Sequence, residues 1–151
     1  MKVLIQRVSR AAVRVAGREA GSIGRGALVF LGVERDDRPS DASSYARRAA
    51  ELRIFPDEEG RMNRSVEEIG GAVLVVSQFT LAAATRRGRR PSFEGAAEPA
   101  VARELYEAFV AALRARGIPT ESGVFGAMME VELVNDGPVT ILLDPKDEAR
   151  A

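Results

Sequence analysis

The chain of 151 residues contains no histidine, no cysteine and no tryptophan. It therefore cannot supply the imidazole of a Ser-His-Asp triad, a thiolate nucleophile, or the histidine and cysteine ligands of a zinc site. Acid–base chemistry is left to carboxylates, two lysines, two tyrosines, backbone groups or the substrate itself. These absences favour hydrolysis of an already activated bond, such as an ester, over hydrolysis of an amide, and we expect no metal ion and no cofactor.

Length and composition indicate one folded domain. Apolar residues make up 46% of the chain, charged residues 29%, and the formal net charge is zero. A chain of this length buries roughly 68–70% of its unfolded surface, and we expect a single domain over residues 1–145 with a polar tail over 146–151. No stretch approaches the roughly 18 apolar residues that span a bilayer, and the first residues lack the apolar core of a signal peptide. We therefore expect a cytoplasmic protein that does not contact a membrane.

The order of helix-like and strand-like patterns predicts an α+β fold, with a mostly antiparallel sheet or partly closed barrel and two main helices. The first helix follows Pro39, with Ser40 as its cap, and the second begins near Pro99 and stops at Gly117. The predicted strands are Lys2–Val8, Ala11–Val15, Ala27–Val33, Ala72–Ser77, Met128–Asn135 and Val139–Asp144.

The last two predicted strands are separated by Asn135-Asp136-Gly137-Pro138. This sequence is typical of a hairpin turn with its proline on an edge strand. The alternative is a functional loop, because an X-Pro bond adopts the cis form at a cost of only about 0.5–1 kcal/mol and Gly137 permits positive φ and close approach. Gly137 and Pro138 would then hold two carbonyls outward as fixed acceptors. From this segment alone both interpretations stay open.

Four guanidinium groups lie within five residues in Arg86-Arg87-Gly88-Arg89-Arg90. Because 20 of the 22 basic residues are arginine, one interpretation is a solvated loop in an arginine-rich chain. The other is a phosphate-binding cluster, since arginine forks match phosphate oxygens and give nucleic-acid affinity that depends on salt. The overall neutrality of the chain favours a local contact with one end of an RNA over a broad coating.

Ser77-Gln78-Phe79-Thr80 ends a strongly apolar run. Backbone N–H groups lose their partners where a strand ends, so Ser77, Gln78 and Thr80 are candidates for stabilising an oxyanion. Phe79 either stacks on an unpaired RNA base such as adenine, as exposed aromatic side chains can, or packs in the core. The Thr80 hydroxyl suits a nucleophile, but the sequence offers it no base, so we expect no covalent intermediate.

Short strings along the chain carry a resemblance to a known family. Besides Ser77–Thr80 and Asn135–Thr140, they are Leu4–Val8, Arg53–Phe55, Gly60–Asn63, Arg90–Phe93 and Gly126–Met129. Each string alone is weak evidence. In this order and at these separations the set resembles the D-aminoacyl-tRNA deacylase family, and the resemblance covers nearly the whole chain.

The resemblance implies a homodimer that hydrolyses the ester joining a D-amino acid, or mischarged glycine, to the 3′ end of tRNA. It implies that Gly137 and a cis Pro138 enter the active site of the partner subunit, where their carbonyls hold the substrate's amino group and exclude an L side chain. Arg7 matches the residue that helps to fix this pair, and Phe125 and Met129 match the pocket wall. The chemistry is implied to rely on the 2′-hydroxyl of the RNA.

One position departs from the family pattern. Ala84 stands where relatives often carry an aspartate, so no acid can act at this position. Two rival functions stand beside the deacylase. A non-catalytic RNA-binding protein would keep the arginine cluster without needing the Gly-Pro pair, and a metabolic ester hydrolase would act on small esters without tRNA.

Overall fold

The computed structural model describes residues 1–86 and 89–145. Its strands are β1 (Lys2–Val15), β2 (Arg18–Ile23), β3 (Gly26–Gly32), β4 (Phe55–Pro56), β5 (Met62–Arg64), β6 (Ala72–Ser77), β7 (Thr120–Ser122) and β8 (Glu130–Leu143). Its helices are α1 (Pro39–Glu51), α2 (Pro99–Ala115) and a short 3₁₀ helix (Phe79–Ala82). The predicted α+β fold with two main helices is confirmed. The predicted tail at 146–151 lies outside the described residues.

The main sheet is mixed and nearly closes into a barrel. Strand β1 pairs antiparallel with β2, β3 and β8, whereas β3, β6 and β7 run parallel to one another. The two ends of the sheet order meet where Gly21 of β2 faces Ser122 of β7, because a Cβ atom at Gly21 would lie 3.2 Å from the Ser122 carbonyl oxygen. Glycine at position 21 thus lets the two edges of the main sheet approach each other. Strands β4 and β5 pair in a separate two-stranded sheet.

The helices begin and end for identifiable reasons. Helix α1 begins at Pro39, one residue before the predicted cap at Ser40. The cap position is Arg38, whose N–H donates to the Asp41 carboxylate at 2.7 Å, and that negative charge suits the first turn of a helix. The prediction that Ser40 caps α1 is therefore wrong. Helix α2 ends at Ala115, and Gly117 follows with a φ of 79°, as expected for a helix-terminating glycine.

The core has two parts, because β3 and β6 bury both faces. Alternate residues of these strands, including Val29, Val73 and Val75, pack against α1 and α2. The residues between them, Leu28, Leu74 and Val76, fill the barrel interior. A strand covered on both faces offers little freedom at its end. Ser77 and the residues after it therefore start from a rigid position. Within the described ranges, no helix is long and apolar enough to cross a membrane.

The sequence patterns divided one long strand into two and missed several short ones. The predicted strands 2–8 and 11–15 are two halves of the single strand β1. Strands β2, β5 and β7 are short and partly exposed, and β4 has only two residues. Strand β7 pairs with β6, which is distant in sequence, whereas β2 pairs with β1 and β5 with β4 across short turns. Strands this short are formed by the neighbour they pair with, and a local pattern carries little signal of that pairing.

Candidate active site

The first group of candidate residues lies where β6 ends. Ser77 pairs with Leu31 of β3, and the Gln78 N–H donates to the Leu31 carbonyl at 2.8 Å. This N–H is therefore occupied, which corrects the expectation that Gln78 offers a free backbone donor. Phe79 and Thr80 begin the 3₁₀ helix, and the first N–H groups of a helix have no acceptor within it. These two N–H groups are the better candidates for oxyanion donors.

Two residues that the sequence patterns did not single out hold this short helix in place. A Cβ atom at Gly32 would lie 2.8 Å from Cβ of Leu81 and 3.0 Å from the Gln78 carbonyl oxygen, so only glycine allows the helix to sit this close to β3. The Lys2 ammonium donates to the Leu81 carbonyl at 3.2 Å. A glycine at the end of a strongly apolar strand was the one available signal.

The side chains at this end offer little acid–base chemistry. The Gln78 amide donates to the Thr80 hydroxyl at 2.5 Å. An amide cannot take a proton from that hydroxyl, so this contact does not activate Thr80 as a nucleophile. Phe79 is 56% exposed, which makes the core-packing interpretation wrong. Its ring contacts Phe93, with centroids 5.0 Å apart and planes at 63°.

Phe125 and Met129 lie on the segment that follows β7. Because β6 and β7 are parallel, this segment leaves the sheet at the same end as Ser77. The Gly123 N–H donates to the Val75 carbonyl at 2.9 Å, and a Cβ atom at Gly123 would lie 2.7 Å from the Met129 sulfur. Phe125 and Met129 are thus at the same end of the sheet as Ser77.

Two side chains of α2 contact Phe125, which with Met129 forms the predicted pocket wall. The Phe125 ring lies 5.8 Å from the Tyr106 ring and 4.9 Å from the Arg103 guanidinium. The Tyr106 hydroxyl donates to the Val75 carbonyl at 2.8 Å. Burial raises the pKa of Tyr106 to about 12, so its phenol stays protonated throughout the neutral range.

Gly137 and Pro138 lie on a large bulge of β8. Gln6 pairs with Thr140 and Val8 pairs with Asn135, so the four residues Asp136–Val139 stand opposite one residue of β1. Both halves of β8 pair with β1, and the chain does not turn back. The hairpin interpretation is therefore wrong. The Gly137–Pro138 peptide bond is cis, and both residues are exposed.

Arg7 is the β1 residue opposite this bulge, and its side chain holds the bulge in place. Its Nε donates to the Asp136 carbonyl at 3.0 Å and lies 3.3 Å from the Asp136 carboxylate, while Nη1 donates to the Ile54 carbonyl. The side chain is only 12% exposed. Gly137 has a φ of 128°, and a Cβ atom there would lie 2.8 Å from Nη2 of Arg7. Glycine is required on both counts.

The two groups of candidate residues are held by different residues of β1. Lys2 contacts the 3₁₀ helix and Arg7 contacts the bulge, and both belong to β1. Their five-residue separation corresponds to about 17 Å along an extended strand. One chain therefore brings Ser77–Thr80, Phe125 and Met129 to one end of the sheet, whereas Gly137–Pro138 lies on an exposed bulge that a different β1 residue holds.

The residues between Ala84 and Ser92, which include Arg86 to Arg90 and are called the arginine segment below, are flanked by a β-bridge. Ala84 and Ser92 pair in both directions, with N–H to carbonyl distances of 2.8 and 3.0 Å. Arg86, Arg89 and Arg90 are exposed, whereas the predicted contact at Arg87 lies outside the described residues. Among the residues that the structure describes, no group of three or more aspartates and glutamates could hold a metal ion.

Known proteins match nearly the whole chain. The family model for D-Tyr-tRNA(Tyr) deacylase matches residues 4–144. A D-aminoacyl-tRNA deacylase from Koribacter versatilis is 61% identical over 148 residues, which cover 98% of this chain and 99% of the relative. The enzyme of the same name from Roseiflexus castenholzii is 60% identical over 144 residues, covering 95% and 92%.

Two solved structures agree with this match. The c-Myc DNA unwinding element binding protein superposes with a TM-score of 0.89 at 38% identity, covering 95% of this chain and 98% of that one. A probable eukaryotic D-amino acid tRNA deacylase superposes with a TM-score of 0.82 at 21% identity, covering 94% and 97%, and thus shares the fold. On the family match and the identities, the protein belongs to the D-aminoacyl-tRNA deacylases, a family of ester hydrolases.

Proposed function

We propose that the protein hydrolyses the ester bond of D-aminoacyl-tRNA, and of glycine mischarged on tRNA, as a homodimer with two composite sites. Each site would combine Ser77–Thr80, Phe125 and Met129 of one subunit with the Gly137–Pro138 bulge of the other. The observation that carries this proposal is that Gly137 and Pro138 form an exposed bulge held from behind by Arg7, so that its outer side is open to a second subunit, while Lys2, five residues earlier on β1, holds the 3₁₀ helix. A tRNA substrate also supports a cytoplasmic location.

The bulge supports the stereochemical part of the proposal. Gly137 and Pro138 are exposed, and Arg7 holds the bulge from behind through Asp136. A fixed pair of outward carbonyls would accept hydrogen bonds from the ammonium group of the substrate. With that group held, an L side chain would point into the bulge and a D side chain away from it. Glycine has no side chain to exclude, so it would be hydrolysed as well.

The side chains at the β6 end support chemistry assisted by the RNA. Thr80 accepts a hydrogen bond from Gln78 and has no base in that contact. The backbone N–H groups of Phe79 and Thr80 would stabilise the oxyanion, a role worth about 10²–10³ in rate per donor. The proton transfers would then fall to the vicinal 2′-hydroxyl of the terminal ribose. Replacing that ribose by 2′-deoxyribose should abolish most of the turnover without weakening binding.

Four substrates test the reaction itself. D-Tyr-tRNA and Gly-tRNA should be consumed rapidly, while L-Tyr-tRNA and the free ethyl ester of D-tyrosine should persist. Binding of tRNA without hydrolysis would favour a non-catalytic RNA-binding protein. Rapid hydrolysis of the free ester would favour a metabolic esterase. Because the sequence contains neither histidine nor cysteine, we also expect turnover to persist in EDTA.

Mixed dimers test whether the sites are composite. One chain carries Gly137→Ala, which damages the bulge, and the other carries Gln78→Ala with Phe79→Ala, which damages the β6 end. Composite sites leave one of the two sites in each mixed dimer intact, so an equal mixture should recover about a quarter of the wild-type activity. Sites built from a single chain would give no recovery. Light scattering that shows an active monomer would also contradict the proposal.

A further inference from the structure

Phe79 and Phe93 are unusual among the aromatic residues of this protein. All six phenylalanines and both tyrosines lie within the described ranges, and these two phenylalanines are the ones classed as exposed, at 56% and 38%. The two rings also contact each other. Two adjoining exposed rings form a surface on which the flat rings of a ligand can stack. The face of an aromatic ring is apolar and forms no strong hydrogen bonds with water, so covering it is favourable.

Backbone contacts on both sides hold Phe93 in place. Before it, Ser92 pairs with Ala84 and closes the arginine segment. After it, the Arg35 N–H donates to the Gly95 carbonyl at 3.0 Å and the Ala97 N–H donates to the Val33 carbonyl at 3.1 Å. The exposure of Phe93 therefore does not come from a loosely attached chain.

The charged residues on the two sides of Phe93 in the sequence have opposite signs. Arg86, Arg89 and Arg90 lie on the segment that Ala84 and Ser92 close, next to Phe93 in sequence. On the other side of Phe93 in the sequence, Glu94 and Gly95 line a concave region of about 550 Å³ that is rich in carboxylates. The acidic residues that line it are Glu34, Asp36, Asp37, Asp41 and Glu94. These five carboxylates outnumber the Met1 ammonium and the Arg35 guanidinium that also line the region. Phosphate groups would therefore be disfavoured there and attracted to the arginine segment.

We propose that Phe93 stacks on the base that precedes the terminal base of the RNA, while Phe79 takes the terminal base. The inference rests on the proposed function, since it starts from an RNA end whose ester lies at Thr80. From there the RNA passes over Phe79 and then Phe93, and its phosphates continue toward the arginine segment. Phe93 thereby positions the substrate and favours an oligonucleotide over a single nucleoside.

The kinetic test compares Phe93→Leu with the wild type on two esters of D-tyrosine. One ester is on a CCA trinucleotide and the other is on adenosine alone. Stacking by Phe93 predicts a fall in kcat/KM of about 10- to 100-fold for the trinucleotide, carried by KM, and a change below about threefold for adenosine. An equal fall on both esters would mean that the ring only supports Phe79, and no fall on either would mean that it binds no base. Both results overturn the inference.

A binding test needs no turnover. The chain has no tryptophan, so Phe93→Trp introduces a single tryptophan, whose emission can be excited selectively over the two tyrosines. Met62→Trp on β5, 59% exposed, is the matched control. A CCA trinucleotide should quench the first variant at lower concentration than adenosine does and leave the control unchanged. If the wild type hydrolyses D-Tyr-tRNA but Phe93→Trp does not respond, the inference fails and the proposed function stands. If the quenching occurs without hydrolysis, the proposed function fails instead.

Discussion

The Gly137–Pro138 bulge and the Ser77–Thr80 end of β6 are held in different ways. One largely buried arginine contacts the bulge and the segment after α1, so the bulge is braced from behind while its outer side is exposed. The β6 end is braced through its backbone by β3 and Lys2, while its side chains contact one another and Phe93. Under the proposed function, the bulge discriminates between enantiomers and must hold its shape, whereas the β6 end receives the RNA and must be open. Substitutions in the two regions should therefore affect different steps.

The largest effect should come from Gly137→Ala. The new Cβ atom would lie 2.8 Å from Arg7 Nη2 and 3.0 Å from Val139 Cγ2, at a φ of 128° that L residues rarely adopt. Displacement of the bulge by about 1 Å can cost on the order of 10² in rate. We expect that reduction in D-Tyr-tRNA turnover, together with a narrower D/L ratio.

Gly60→Ala is the matched control for that change. Gly60 also has positive φ, 78°, but nothing lies within 4 Å of the added Cβ atom. Both variants should lose about 1–3 kcal/mol of stability from backbone strain, and only Gly137→Ala should alter the D/L ratio. An unchanged ratio in Gly137→Ala would separate the bulge from stereochemical selection.

Replacing Arg7 with lysine should have the next largest effect. Arg7 reaches the Asp136 and Ile54 carbonyls through two different nitrogens, Nε and Nη1. Lysine has one nitrogen and no fork, so we expect one of the two contacts to be lost, and a buried acceptor left unpaired costs about 1–3 kcal/mol. We expect D-ester turnover to fall about 10- to 100-fold, corresponding to that energy. Arg10→Lys, at a position that is 66% exposed, should behave as the wild type. Equal behaviour of the two variants in kinetics and unfolding would show that Arg7 does not hold the bulge.

Neutralising the arginine segment should weaken binding and spare the chemical step. With residues 86, 87, 89 and 90 changed to glutamine, the slope of log K against log salt should flatten by about 0.7 for each phosphate that the protein no longer neutralises. The rate at saturating tRNA should not change. The control makes the same substitution at four exposed arginines elsewhere, namely Arg10, Arg18, Arg47 and Arg61. An equal effect of both sets on the slope would favour the interpretation of the segment as a solvated loop.

Thr80→Val should have a smaller effect, because the substitution removes the hydroxyl and keeps the backbone N–H. We expect single-turnover rates within about tenfold of the wild type, with Thr80→Ser closer still. Removal of a true nucleophile costs several orders of magnitude. A reduction beyond about 10⁴-fold in Thr80→Val that Thr80→Ser restores would establish covalent catalysis.

The smallest effect on activity should come from Tyr106→Phe. Tyr106 lies on α2 and contacts Phe125 of the predicted pocket wall. Its phenol has a folded-state pKa of about 12, above the ordinary value of 10.0. The stability that this group contributes is therefore present below about pH 10 and is lost as the pH rises toward about 12. Urea unfolding should show a shallower decline in stability over that window in Tyr106→Phe, with turnover near neutral pH unchanged. An identical alkaline decline in both proteins would contradict this.

Periodic patterns predicted the elements whose folding depends on local burial. Both main helices and the apolar runs of β3 and β6 follow from alternation or helical spacing, because each needs one or two covered faces whatever its neighbours are. The end of α2 followed from Gly117 in the same way. The order of the short strings along the chain was sufficient to indicate the family.

The sequence by itself thus determined the helices, the buried strands, the absence of histidine and cysteine chemistry, and the residue types of the candidate site. Only the tertiary structure decided that Gly137–Pro138 is a bulge opposite Arg7, that Phe79 is exposed beside Phe93, and that Leu31 occupies the Gln78 N–H. Each of these depends on which strands pair and in what register. Pairing is chosen by contacts between residues far apart in the chain, and local propensity contains no term for them.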